Sequence, residues 1–80
     1  MKDVKIEKGE KELILTVDEK TLDIFPGLRI PVESKKYLKV SSIDDPENIL
    51  VDVYRKGKYK QSKFMTPQEI VLVMEEKELL

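Results

Sequence analysis

Eighty residues without a cysteine or a histidine narrow the chemistry open to this chain before any pattern is read. Disulfides and thiolate sites need the first, and imidazole is both the commonest metal ligand and the usual general base near neutral pH. Fifteen basic residues against sixteen acidic ones give a net charge of −1, which argues against the wholesale non-specific DNA binding of a basic domain.

The length corresponds to one domain, residues 1–80, that buries about 60–65% of its extended-chain surface. Chains this small often gain stability by oligomerising. The N-terminal stretch MKDVKIEKGEKEL is charged throughout, and no apolar run approaches the ~18 residues of a membrane span. The expectation is a soluble, cytoplasmic protein with no membrane partner.

In chain order, Val4 and Ile6 alternate with Lys5 and Glu7 as a short strand or frayed end, punctuated by Gly9. Leu13, Leu15 and Val17 share one face of a better strand, with Glu12, Ile14 and Thr16 on the other. Asp18, Glu19 and Lys20 suit a turn. Leu22 and Ile24 can begin another strand, which Phe25, Pro26 and Gly27 break. Leu28, Ile30 and Val32 alternate with Arg29 and Pro31, and the proline confines that run to a sheet edge or an extended loop. Tyr37 to Ile43 reads as a strand with Leu38 and Val40 on one face. Asp44, Asp45, Pro46, Glu47 and Asn48 form a polar turn.

Ile49 to Met65 is the clearest hairpin. Ile49, Val51 and Val53 alternate with Leu50, Asp52 and Tyr54 before Lys56 and Gly57 interrupt. Gly57 takes positive φ at no steric cost, as a tight loop requires. A two-residue loop places Tyr54 opposite Tyr59 and puts Ile49, Val51, Val53 and Phe64 on the core face; a loop one residue longer moves Tyr59 to the valine face. Both registers are open from the residues alone.

A helix closes the chain. Thr66 suits the N-cap, Pro67 the first helical position, and Glu69 completes a capping box, with Met65 and Ile70 spaced as a hydrophobic staple. Ile70, Val73 and Met74 form one stripe. Leu72 and Leu79 fall on the opposite side, so they are the expected interface of a homodimer. The fold class is α+β: a small antiparallel sheet or open barrel of four to five strands with one C-terminal helix.

No constellation assembles a reaction. Asp44, Asp45, Glu47 and Asp52 lack the order of a calcium loop, the serines have no histidine to activate them, and no motif makes a lysine a base. The expectation is a non-enzymatic chain with no cofactor and no metal site. Charge is nevertheless grouped: residues 55–63 carry five basic side chains and no acidic one, while residues 44–54 carry four acidic ones and no basic one.

Two binding surfaces follow. One is basic: Arg55, Lys56, Lys58, Lys60 and Lys63 with Tyr54 and Tyr59 interleaved, where cations meet phosphates and aromatic rings stack bases. Arg29, Lys35, Lys36 and Lys39 extend it if the fold brings them alongside. The same lysines also keep a sheet edge soluble. The other surface is acidic: Glu7, Glu10, Glu12, Asp18, Glu19, Asp23, Asp44, Asp45 and Glu47. On one face these would complement a basic nucleic-acid-binding protein.

In size, in lysine and glutamate richness, and in lacking Cys, His and Trp, the chain resembles small phage-encoded host-takeover proteins. Some of these are DNA mimics that inhibit nucleoid-associated proteins such as HU. The resemblance is compositional and assigns no residue a role; it implies a viral inhibitor acting on a host protein. The leading expectation is thus a non-catalytic interaction module that binds a protein partner through its charged, acidic surface. The alternatives are direct nucleic-acid binding through the 54–63 hairpin and service as a structural subunit of a larger assembly.

Overall fold

The structure is a computed structural model and describes residues 3–79. Seven strands and one helix follow in order: β1 (Lys5–Lys8), β2 (Leu13–Val17), β3 (Lys20–Ile24), β4 (Arg29–Glu33), β5 (Lys36–Asp45), β6 (Asn48–Arg55), β7 (Lys58–Met65) and α1 (Pro67–Glu76). They form two antiparallel sheets, β1-β2-β3 and β4-β5-β6-β7. The α+β class thus takes a mostly β form, and the expected single sheet or barrel of four to five strands is replaced by two sheets. The break at Phe25, Pro26 and Gly27 does not end the strand pattern. It carries the chain from one sheet to the other.

Period-2 alternation decides which face each strand buries. Leu13, Leu15 and Val17 of β2 and Ile24 of β3 point inward, as do Ile30, Leu38, Val40, Ile43, Ile49, Val51, Val53 and Met65 of the four-stranded sheet. These residues form one hydrophobic cluster with Ile70, Val71 and Met74 of α1. The shortest dimension of the molecule is 17 Å, which admits two sheets at the usual separation of about 10 Å and no third layer. Within the helix the buried stripe runs through Pro67, Ile70, Val71 and Met74, and Val73 is only partly buried. The capping box is complete: the Glu69 amide donates to Thr66 Oγ1 at 3.2 Å and the Thr66 amide to Glu69 Oε1 at 3.1 Å. Among the described residues, no helix is long and apolar enough to cross a membrane.

Turns set the registers, and bulges then shift them. Lys56 and Gly57 both have positive φ, 53° and 77°, so the loop has two residues and Tyr54 lies opposite Tyr59. The register then slips between Tyr54 and Val53, whose partners are Tyr59 and Gln61, which leaves Lys60 as the extra residue. One consequence corrects the sequence-based expectation for Phe64. The bulge turns Met65 into the core opposite Ile49 and leaves Phe64 on the outer face opposite Leu50.

The β2–β3 turn has the same geometry without a glycine: Asp18 has φ 49° and Glu19 φ 70°. Left-handed conformations cost L-residues about 1–2 kcal/mol each, and glycine offsets part of that gain by its greater unfolded-state freedom. Glu19→Gly should therefore stabilise the chain by about 0.5–1 kcal/mol, seen as a higher urea midpoint with an unchanged slope. A lower midpoint would mean that the glutamate side chain contributes more than its backbone strain costs.

Candidate nucleic-acid interface

The inward face of the four-stranded sheet is core, so its chemistry lies on the outward face. Cross-strand partners divide that face into three rows. Pro31, Tyr37, Tyr54 and Tyr59 make the first, Arg29, Lys39, Asp52 and Ser62 the second, and Ser42, Leu50 and Phe64 the third.

In the first row, Tyr37 and Tyr54 stack with ring centroids 5.1 Å apart and an interplanar angle of 3°. That separation is close to the ~4.8 Å between neighbouring strands, so the two rings stand side by side across the sheet. The Arg29 guanidinium lies 5.0 Å from the Tyr37 centroid, placing a cation against the π-face. On the other side Tyr59 meets Tyr54 edge-on, at 5.9 Å and 75°. The result is a ladder Arg29–Tyr37–Tyr54–Tyr59 that crosses all four strands.

Tyr59 is turned differently from its neighbours because its hydroxyl is anchored along β7. Ser62 Oγ donates to Asp52 Oδ1 at 2.6 Å, so the 2.6 Å contact between Tyr59 and Ser62 is donated by the tyrosine hydroxyl. The bulge at Lys60 brings Ser62 within reach. The Tyr59 ring is nearly perpendicular to that of Tyr54 and is 55% exposed. Phe64, further along the same edge strand, is 66% exposed. Both faces of Tyr37 and one face of Tyr54 are occupied within the ladder, whereas Tyr59 and Phe64 are more than half exposed.

The cations group around these rings. Lys36 pairs with Arg55 across β5 and β6, and the Lys56 amide donates to the Lys35 carbonyl at 2.6 Å. The β4–β5 and β6–β7 turns are thereby joined at one end of the sheet. Lys58 and Lys60 continue the patch along the exposed edge strand β7. Arg29, Lys35, Lys36 and Lys39 therefore do stand beside the basic hairpin. By alternation Lys36, Arg55 and Lys58 fall on the side of Leu38 and Val53, at the end of the sheet beyond the core, and Lys63 lies opposite Val51 on that same side while remaining exposed; Arg29 and Lys39 share the outward face with the tyrosines.

The nine carboxylates of the expected acidic surface fall into several groups, interrupted by lysines, rather than one continuous face. Glu7 and Asp23 flank Ile14 on the outer face of the three-stranded sheet. Asp18 and Glu19 occupy the β2–β3 turn, and Glu10 and Glu12 border the β1–β2 connection, where Gly9 donates its amide to the Glu12 carbonyl at 2.8 Å. Asp44, Asp45 and Glu47 cluster at the β5–β6 turn. There Asp45 Oδ1 accepts from the Glu47 amide at 2.9 Å, Asp45 Oδ2 accepts from Asn48 at 3.3 Å, and Asp44 accepts from Ser42 at 3.0 Å. These bonds hold the turn. Glu10 and Asp44 line one shallow groove together with Lys8 and Lys11, which mixes the charges there. Among the described residues, no three carboxylates converge as metal ligands would. Leu72 and Leu79 are 60% and 42% exposed on and just beyond α1.

Tyr37 and Phe64 are the aromatic residues of this surface that the sequence does not single out, Phe64 because its expected place is the core; Tyr37 is the less visible of the two. Its alternation with Leu38 marks it as outward-facing, but its place opposite Tyr54 depends on two register shifts along β5. Comparison with protein-family models, with characterised proteins and with solved structures finds no match to this chain.

Proposed function

We propose that this chain binds single-stranded nucleic acid across the outer face of its four-stranded sheet, without catalysing a reaction. The observation that supports this most strongly is the Arg29–Tyr37–Tyr54–Tyr59 ladder ending in an open ring on a lysine-rich edge strand. Stacking a base on such a ring is worth about 1–3 kcal/mol and requires the base to be unpaired. Tyr37 and Tyr54 act as the support that fixes Tyr59, and Tyr59 and Phe64 take the bases. Lys39 beside the ladder, Lys56 at the turn and Lys60 on the edge strand meet the phosphates.

A protein partner that reads a DNA-like array of negative charge finds less support, because the carboxylates are spread over both sheets and Lys8 and Lys11 stand among them where Glu10 and Asp44 meet. The overall charge of −1 restricts attraction to the local patch. Binding should therefore be modest and salt-sensitive, with about three phosphates engaged and a log–log salt slope of about −2.

Fluorescence anisotropy with a labelled single strand, and with the same sequence as a duplex, at ~50 and ~200 mM salt checks this. The single strand should bind more tightly than the duplex and weaken with that slope. Equal affinity for the duplex, or no binding at the lower salt, sinks the reading.

A further inference from the structure

Charge runs in one direction along the four-stranded sheet. At one end the β4–β5 and β6–β7 turns lie together, joined through the Lys56 amide and the Lys35 carbonyl, and bear Lys35, Lys36, Arg55, Lys56 and Lys58 with Glu33 as their neighbouring carboxylate. At the other end the β5–β6 turn bears Asp44, Asp45 and Glu47, with Lys8 and Lys11 sharing a groove with Asp44 on the side away from Phe64 and Leu50. Phe64 reaches that acidic end, where it walls a cavity of about 480 Å³ with Leu50, Ser42, Asp44, Asp45 and Asn48. The eight residues of β6 connect the two ends, a distance of about 26 Å.

The geometry points to a ligand with two parts: a short single-stranded segment of about four nucleotides on Tyr59 and Phe64, continuing into a duplex held at the basic end. This inference rests on the nucleic-acid reading above. The single-stranded part is short because its phosphates meet repulsion beyond Phe64, where the acidic turn begins. The duplex belongs at the other end for two reasons. Beyond Tyr59 no further open ring stands toward the joined turns, since Arg29 and Tyr54 occupy the faces of Tyr37 and Tyr37 covers a face of Tyr54, so what lies there is held by its phosphates rather than by its bases. A duplex also carries one charge per ~1.7 Å of its axis, more densely than a single strand, and gains most from a compact cation cluster.

The test measures affinity for labelled single strands of about two to about twelve nucleotides, free and as overhangs on one duplex stem. Three proteins are compared: the wild type, Lys35→Glu with Lys56→Glu, and Asp44→Lys with Glu47→Lys. Asp45 is left in place because it accepts two of the turn's three bonds while Asp44 accepts one, and a urea melt of each variant verifies folding. In the wild type, affinity should level off near four nucleotides apart from the gain in available registers, and the stem should tighten binding about tenfold. The lysine reversals should abolish the stem's contribution, and the acidic reversals should let affinity climb with length. Binding that rises steadily with length in the wild type, or a stem that adds nothing, overturns the inference while leaving single-strand binding intact. Failure of every single strand to bind overturns both.

Discussion

Leu15→Ala should cost about 3 kcal/mol of stability. Leu15 is fully buried in the centre of β2, between Ile6 of β1 and Leu22 of β3. The three-stranded sheet is made of strands of four and five residues. A sheet that short is not stable in isolation, so its attachment depends on the side chains that β2 and β3 bury. Native chains of this length are stable by about 4–12 kcal/mol, so one such truncation removes a large share. Urea denaturation should show a lower midpoint, with Ile14→Ala on the outward side of the same strand costing less than about 1 kcal/mol as the control. A loss below ~1 kcal/mol for Leu15→Ala would show that the first sheet is not clamped to the second. A changed slope would point instead to the small sheet detaching separately.

The second large effect concerns binding. Tyr59→Ala combined with Phe64→Ala removes both open rings and should weaken single-strand affinity about a hundredfold, since two stacked bases are worth at least about 2–3 kcal/mol together. Both side chains are more than half exposed, so the fold should survive with a modest loss from the missing edge contact to Tyr54, about 0.5–1.5 kcal/mol. Duplex affinity, carried by the lysines, should hardly change. Anisotropy at low salt and a urea melt of the same sample separate the two quantities. A loss of less than about threefold would show that the rings do not stack bases and that the lysines alone carry the binding.

The parts of this fold that were legible in the sequence are those encoded within a few residues. Gly57 marks the tight loop, and Thr66, Pro67 and Glu69 mark the helix start, because each acts on backbone groups next to it. Leu13, Leu15 and Val17 reveal the buried side of β2 for the same reason. Phe64 was misplaced because the bulge at Lys60 has no residue signature: it lies in a run of polar side chains that pair equally well in either register. The division into two sheets was hidden because Pro26 and Gly27 read as a strand break, and a break does not say whether the chain returns to the same sheet. The site was legible in part. The basic tip and its tyrosines were visible as a cluster, but the alignment of Tyr37 with Tyr54 results from two shifts in β5 that accumulate over ten residues. The carboxylates were visible as blocks, and their separation in space is a property of the topology alone.

Lys63 has a bearing on how the chain behaves in crowded solution. Its strand ends the sheet, and every residue from Lys58 to Phe64 is exposed, so another extended chain could in principle continue the ladder there. Continuation would lay a second layer of chain over the inward side of that edge, where Lys63 stands opposite Val51. The ammonium would then have to lose its water with no carboxylate along β7 to receive it, a cost of several kcal/mol. Together with Lys58 on the same side and the bulge at Lys60, this amine makes open-ended growth unfavourable along an exposed eight-residue edge.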